Sequence, residues 1–251
     1  MFCCTSSAMD QNKKITELLT KTNGLSTEQV IQFISEEFGP RVTFASSLGE
    51  EDQVITDIIA KAAPHMVVFT LDTGRLFQET YELLAKTQKR YPMPYEIYYP
   101  DTQSVEKMVA KKGINLFYES VDNRKMCCGV RKVEPLQRAL QDVDAWISGL
   151  RRDQAITRRN IDIIEWDQAN QKIKINPLAY WTLDEVRRYI RENKVDVNPL
   201  HHQGFISIGC ACCTRAVKEG EDIRAGRWWW ENLQQKECGL HNNPRRPSAA
   251  G

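Results

Sequence analysis

The stretch "RVTFASSLGEEDQVITDIIAKAA", residues 41–63, runs from a β-rich hexapeptide through a Ser- and Gly-containing turn into a segment whose apolar positions recur at helical spacing. The same strand-to-helix order repeats twice downstream. "HMVVFTL" (65–71) precedes "LFQETYELLAKTQKR" (76–90), and "PYEIYY" (94–99) precedes "TQSVEKMVAKK" (102–112). Alternation of this kind predicts βαβ units and therefore an open, mainly parallel sheet flanked by helices, an α/β fold. Further strands are expected at "AWISGL" (145–150) and "IDIIEW" (161–166). Two helices announce their own starts, because Ser26 precedes Gln29 and Thr182 precedes Glu185 at capping-box spacing. The divisions expected are an N-terminal segment with helices over 1–39, a main domain over 40–222 and a C-terminal segment over 223–251.

In such a sheet the turn after a strand lies at the carboxyl edge, where backbone N–H groups and a helix N-terminus can meet an anion. Ser46, Ser47 and Gly49 occupy that turn after the first strand, and "LDTGR" (71–75) ends the next one, with Leu71 and Thr73 able to line a base and ribose. Either turn alone is as readily a plain connection; two at one edge predict a nucleotide pocket. Between Asn123 and Asn160, nine basic residues stand against four acidic ones, which predicts an anionic ligand, with a solvated basic face as the alternative. Charge over the whole chain is balanced, 34 Lys and Arg against 33 Asp and Glu, so no global field favours nucleic acid or a membrane surface. The N-terminus has no basic-then-apolar leader and no stretch has the length of a membrane span, so a cytoplasmic protein is expected, with an unstructured start carrying incidental thiols at Cys3 and Cys4.

In a reducing compartment, eight cysteines are read as ligands, catalytic groups or inert thiols rather than disulfides. "KMCCGVRKV" (125–133) supplies Cys127 and Cys128, and "SIGCACCTR" (207–215) supplies Cys210, Cys212 and Cys213. Cys210 and Cys213 form a C-x-x-C turn, which can aim two thiolates at one centre. Adjacent Cys127 and Cys128 diverge on either a strand or a helix, so they suit two corners of a bulky iron-sulfur cluster better than one zinc ion. Cys238, two residues after Lys236 and three before His241, is a candidate nucleophile in a polar segment.

Taken in order, "SSLGEED", "LDTGRL", "CCGVRKVEPL", "WISGLRRDQ", "SIGCACCTR", "GRWWW" and "KECGLH" resemble the cluster-containing adenylylsulfate reductases of the adenylyl and phosphoadenylyl sulfate reductase family, over about residues 41–241. The resemblance implies an adenine nucleotide alpha hydrolase-like sheet with a mobile C-terminal segment. It also implies reduction of adenosine 5'-phosphosulfate (APS) to sulfite and AMP in sulfate assimilation and cysteine biosynthesis. Cys127, Cys128, Cys210 and Cys213 would bind one 4Fe-4S cluster per chain, and Cys238 would attack the substrate sulfur to form an S-sulfonate that thioredoxin, a separate protein, resolves. Lys132 and His241 would assist catalysis. Ser46, Ser47, Gly49, Leu71, Thr73, Arg131, Gly149, Arg159, Arg224, Arg227 and Trp228 would bind substrate, with Trp228 and His241 on the closing segment. A homo-oligomer, with a tetramer favoured, is implied; no nucleic-acid or membrane partner is. Cys212 departs from the family pattern, which leaves open a ligand exchange with Cys213 or an oxidation-prone spare thiol. The acidic Glu50, Glu51 and Asp52 are expected to point away from the proposed anion site. The alternatives are a 3'-phosphoadenosine 5'-phosphosulfate (PAPS) or dual-specificity reductase, and an iron-sulfur regulator that binds nucleic acid. An ATP-using thiolase or synthetase would carry an S-G-G-x-D-S loop, which is absent from the chain.

Overall fold

The computed structural model describes residues 4–154, 158–222 and 224–231 of the 251-residue chain. Six strands form one sheet: β1 (Val42–Ala45), β2 (Val67–Leu71), β3 (Tyr95–Tyr98), β4 (Ala145–Ile147), β5 (Ile164–Asp167) and β6 (Lys172–Ile175), in the order β3-β2-β1-β4-β6-β5. All neighbours run parallel except the β5–β6 hairpin. The chain builds outward from β1 through β2 and helix α4 (Gln78–Arg90) to β3, then crosses by way of helix α5 (Thr102–Lys112) and the segments after it to the other side of β1 to lay down β4. Connections therefore diverge after β1 and β4, and a crevice opens at their carboxyl ends.

Alternate residues of the strands separate the two layers. Val42, Phe44, Ala145, Ile147, Ile173 and Ile175 bury one face under helices α1 (Cys4–Thr22), α2 (Thr27–Phe38), α3 (Glu50–Ala62) and α8 (Leu183–Asn193). Phe69, Trp146 and the partly buried Ala45 and Leu71 face the other way, onto Leu136 of α7 (Glu134–Ala139) and Leu140 beyond it. Both expected capping boxes form. Ser26 accepts from the Gln29 N–H at 3.2 Å while its own N–H donates to the Gln29 carboxamide at 2.8 Å, and Thr182 and Glu185 reciprocate in the same way.

Two expectations about elements fail. α1 already begins at Cys4, where an unstructured start was expected; its Leu18 is fully buried and Ile15 and Leu19 pack on the core, so tertiary burial sustains the helix. β6, "KIKI", was missed because two lysines interrupt it. Lys174 is nevertheless buried in the sheet, its Nζ 3.7 Å from Glu165 and 5.1 Å from the Trp146 ring centre.

Candidate active site

A cavity of about 430 Å³ opens at the divergence after β1 and β4, lined by the loops that follow both strands and by Leu71 and Thr73 at the end of β2. Ser46, Ser47, Gly49 and Gly149 line it, but the turn is built differently from the expectation. The acidic side chains do not point away. Glu50, Glu51 and Asp52 all line the cavity, and the buried Asp52 carboxylate accepts from both the Ser47 N–H and the Ser47 hydroxyl at 2.6 Å. That backbone N–H, anticipated as an anion donor, is thus taken by the chain's own carboxylate. Burial pushes the Asp52 carboxyl up to about 6, against the two Ser47 bonds that lower it. Glu51 is neutralised by Arg151, whose Nη2 lies 2.8 Å from Oε1.

The loop after β2 stands between the cavity and the cysteines. Asp72 folds it by accepting from the Gly74 N–H at 2.7 Å and the Tyr81 hydroxyl at 2.9 Å, with Gly74 in the left-handed region at φ +70°. Thr73 is fully buried, its hydroxyl 3.2 Å from the Cys210 thiol. Its carbonyl accepts from Arg131 Nη1 at 2.6 Å. Arg131 is buried and does not line the cavity, so it buttresses the Thr73 loop rather than reaching a substrate.

Arg131 and its neighbour Lys132 part ways because the chain widens there. Helix α6 (Val121–Cys128) runs directly into a π-helical turn, Gly129–Val133, and a wider turn rotates successive side chains off the α-helical register. Arg131 then faces Thr73, whereas Lys132 lines the cavity. Cys127 and Cys128, at the end of α6, gather with Cys210, Cys212 and Cys213 around an apolar cluster containing Leu116, Phe117 and Trp228. Burial raises the Cys127 thiol above its ordinary range. The Cys212 and Cys213 sulfurs lie 3.8 Å apart; their mutual hydrogen bond lowers Cys212 and raises Cys213, with Arg75 reinforcing the first. Among the described residues no three His, Cys, Asp or Glu side chains close around a single metal ion. Four or more soft thiols from two segments, converging on an apolar site, nonetheless fit the donor preference of an iron-sulfur cluster.

The cavity also carries cations. Lys132, Arg158, Arg224 and Arg227 line it, as does Gly209. A Cβ on Gly209 would fall 2.5 Å from Arg227 Nη2, so only glycine lets this guanidinium sit there. Arg227 is buried, and its Nε has no hydrogen-bond partner among the described residues. Trp228 lines the cavity and is 1% exposed; its backbone N–H donates to the Cys213 carbonyl at 3.1 Å, which docks it against the cysteine cluster. Arg159 is exposed and does not line the cavity, whereas its neighbour Arg158 does. Cys238 and His241 lie outside the described residues.

Five of the nine basic residues in the stretch 123–160 serve structure: Arg124 pairs with Glu231, Arg138 with Glu134 and Arg151 with Glu51, while Arg131 and Arg152 donate to the Thr73 and Ile161 carbonyls. The sequence reading also missed Asp153, Gln154 and His201, which line the cavity; the basic run hid the first two, and the polar loop around "HHQG" gave no signal for the third.

A family model described as "Phosphoadenosine phosphosulfate reductase domain" matches residues 41–216. The chain belongs to this reductase family. Within it, the chain is 51% identical over 211 residues to an adenosine 5'-phosphosulfate reductase of Allochromatium vinosum, covering 83% of this chain and 82% of that one. It is 46% identical over 218 residues to the protein of the same name from Agrobacterium fabrum, covering 87% and 84%. Among solved structures, phosphoadenylyl-sulfate reductase from Candida auris, a phosphate complex, superposes with a TM-score of 0.68 at 32% identity, covering 78% of this chain and 94% of that one. Candida glabrata FMN adenylyltransferase shares the fold alone, with a TM-score of 0.53 at 14% identity over 92% of this chain and 78% of the other. The chain is therefore an oxidoreductase of the APS/PAPS reductase family on the expected adenine nucleotide alpha hydrolase-like sheet. No helix among the described residues is long and apolar enough to cross a membrane.

Proposed function

We propose that the protein reduces APS to sulfite and AMP in cytoplasmic sulfate assimilation. The observation that carries this reading is the cavity lining, in which the cations Lys132, Arg158, Arg224 and Arg227 accompany the apolar Phe69, Leu71 and Trp146. A phosphosulfate suits the cations, where charge developing on the leaving phosphate is stabilised by fixed positive charge. The neutral ribose and adenine suit the apolar lining, with Glu50, Glu51, Asp52 and Asp153 in the same cavity. PAPS is the second reading, favoured by the name of the Candida auris relative. Its additional 3'-phosphate would suffer repulsion wherever it approached the carboxylates.

In the proposed reaction the Cys238 thiolate attacks the substrate sulfur. The new S–S bond forms as the sulfur–oxygen bond to phosphate breaks, and AMP leaves carrying that electron pair. A thioredoxin thiolate then attacks the Cys238 sulfur and releases sulfite; its second thiol closes the thioredoxin disulfide and returns Cys238 reduced. Lys132 and His241 would hold and neutralise the phosphosulfate, and Ser46, Ser47, Gly49, Leu71, Thr73, Gly149, Arg224, Arg227 and Trp228 would orient the nucleotide. Cys127, Cys128, Cys210 and Cys213 would hold a 4Fe-4S cluster. When bound, it would supply electrostatic tuning of nearby side chains and a covalent tie between two chain segments. Thioredoxin is read as a separate donor, and the protein as a homo-oligomer, with a tetramer favoured.

The test is anaerobic purification of wild type and Cys238→Ser, measuring iron, acid-labile sulfide and sulfite release from APS and PAPS in competition. Wild type should release sulfite preferentially from APS. Cys238→Ser should retain its iron and lose turnover, and loss of iron instead would overturn the division between nucleophile and ligands.

A further inference from the structure

Two of the cavity's cations, Arg224 and Arg227, sit on one short segment, residues 224–231. Backbone contacts dock this segment: Arg215 N–H donates to the Gly226 carbonyl at 2.9 Å and Trp228 N–H to that of Cys213 at 3.1 Å. Its far end is pinned by a buried ion pair. Glu231 accepts from Arg124 Nε at 2.9 Å and Nη2 at 2.7 Å, with side-chain exposures of 2% and 1%. The Arg124 guanidinium lies 4.6 Å from the Trp228 ring centre, and that of Arg227 lies 4.8 Å from the same ring. Trp228 itself is held in the left-handed region at φ +41°, a conformation a bulky residue keeps only when its surroundings impose it.

Two guanidiniums against one indole repel each other unless one is compensated. Glu231 compensates Arg124, whereas Arg227 has no carboxylate within ion-pair distance among the described residues. We propose that the Arg124–Glu231 pair is a positioning device for Arg227: by neutralising Arg124 and fixing Trp228, it keeps the Arg227 guanidinium buried and aimed at an anionic ligand. Neither Arg124 nor Glu231 lines the cavity, so both act through Trp228. The inference rests on the proposed reading of the substrate as an anionic nucleotide.

The experiment is a double-mutant cycle on the full-length protein with Glu231→Gln and Arg227→Gln, reading KM and kcat for APS, AMP affinity by calorimetry, and the melting temperature. Glu231→Gln should raise KM and the AMP dissociation constant about ten-fold, the middle of the range for coupled buried neighbours, with kcat within about three-fold. In the Arg227→Gln background the same change should add less than about two-fold. Independent multiplication of the two effects, or a lower melting temperature with unchanged KM and AMP affinity, would overturn the proposal. If Glu231→Gln does not fold, the double variant Arg124→Met/Glu231→Met removes both charges and avoids an unpaired one. Because Arg124 no longer repels Arg227 in this variant, only the fixing of Trp228 is lost and the AMP dissociation constant should rise about two- to three-fold; a loss of about ten-fold or more would overturn the proposal. A wild-type protein that binds AMP but releases no sulfite from APS would defeat the proposed reaction alone, since the cycle can still be read in AMP affinity.

Discussion

A Cβ on Gly149 would lie 2.0 Å from Asp52 Oδ1 and 3.3 Å from the Glu51 Cβ, so the loop after β4 approaches the first turn of α3 more closely than any side chain allows. Gly149→Ala should displace the Asp52 carboxylate from Ser47 and cost about 1–3 kcal/mol, the range for overpacking, measurable by urea unfolding. The substituted protein should also bind AMP more weakly, because both displaced residues line the cavity. Asp52 adds a pH dependence of definite sign. Its carboxyl rises from an ordinary 3.8 to about 6 in the fold, so the folded state holds the proton more tightly than the unfolded chain. The resulting stabilisation is complete below about pH 3.8 and disappears as pH rises through 6, a change of at most about 3 kcal/mol. Asp52→Asn removes that titration. Relative to wild type, the variant should therefore gain stability between pH 4 and pH 7 in denaturant titrations; a constant difference across that range would show that the buried carboxyl is not raised. The sequence made Ser47 visible as a turn residue and Gly149 visible only through the family resemblance, but not the direction of the neighbouring acids, since only the packed fold brings Arg151 to Glu51 and Gly149 to Asp52. The same limit applies at Arg158 and Arg159, identical residues of which one lines the cavity.

At the scale of elements, local chemistry specified what it could reach. Five strands and the capped helices followed from periodicity and from Ser26 and Thr182, whose boxes satisfy N–H groups with no partner inside the helix. Ser26→Ala should lower stability by about 1 kcal/mol in denaturant unfolding with KM for APS unchanged, since no residue of α2 lines the cavity. β6 escaped because its lysines are tolerated only by partners elsewhere in the chain: Glu165 and Trp146 beside Lys174, and the Val143 carbonyl that accepts from Lys172. The π-helical turn was equally hidden, as "GVRKV" reads as ordinary helix. Its effect is large for five residues, since it sends Arg131 to the Thr73 carbonyl and Lys132 to the cavity wall.

Over the whole molecule, the strand order places the crevice between β1 and β4, and every predicted substrate loop in the described residues arrives there from a different part of the chain. The spans differ widely. The β1–β2 contact between Thr43 and Val67 closes 24 residues, whereas Arg124 and Glu231 are 107 apart. Closing the longer loop costs only about 1.3 kcal/mol more in chain entropy, but contacts of such separation form late and depend on the elements between them being in place. The sheet can thus assemble before Arg224 and Arg227 are in place. Synthesised from its N-terminus, the protein would acquire all six strands, with Lys132 and Arg158 already in the chain, before these two cations of the crevice. Partial unfolding would reverse that order, leaving a chain that keeps its sheet, and passes for native by its secondary structure, after its affinity for anions has gone.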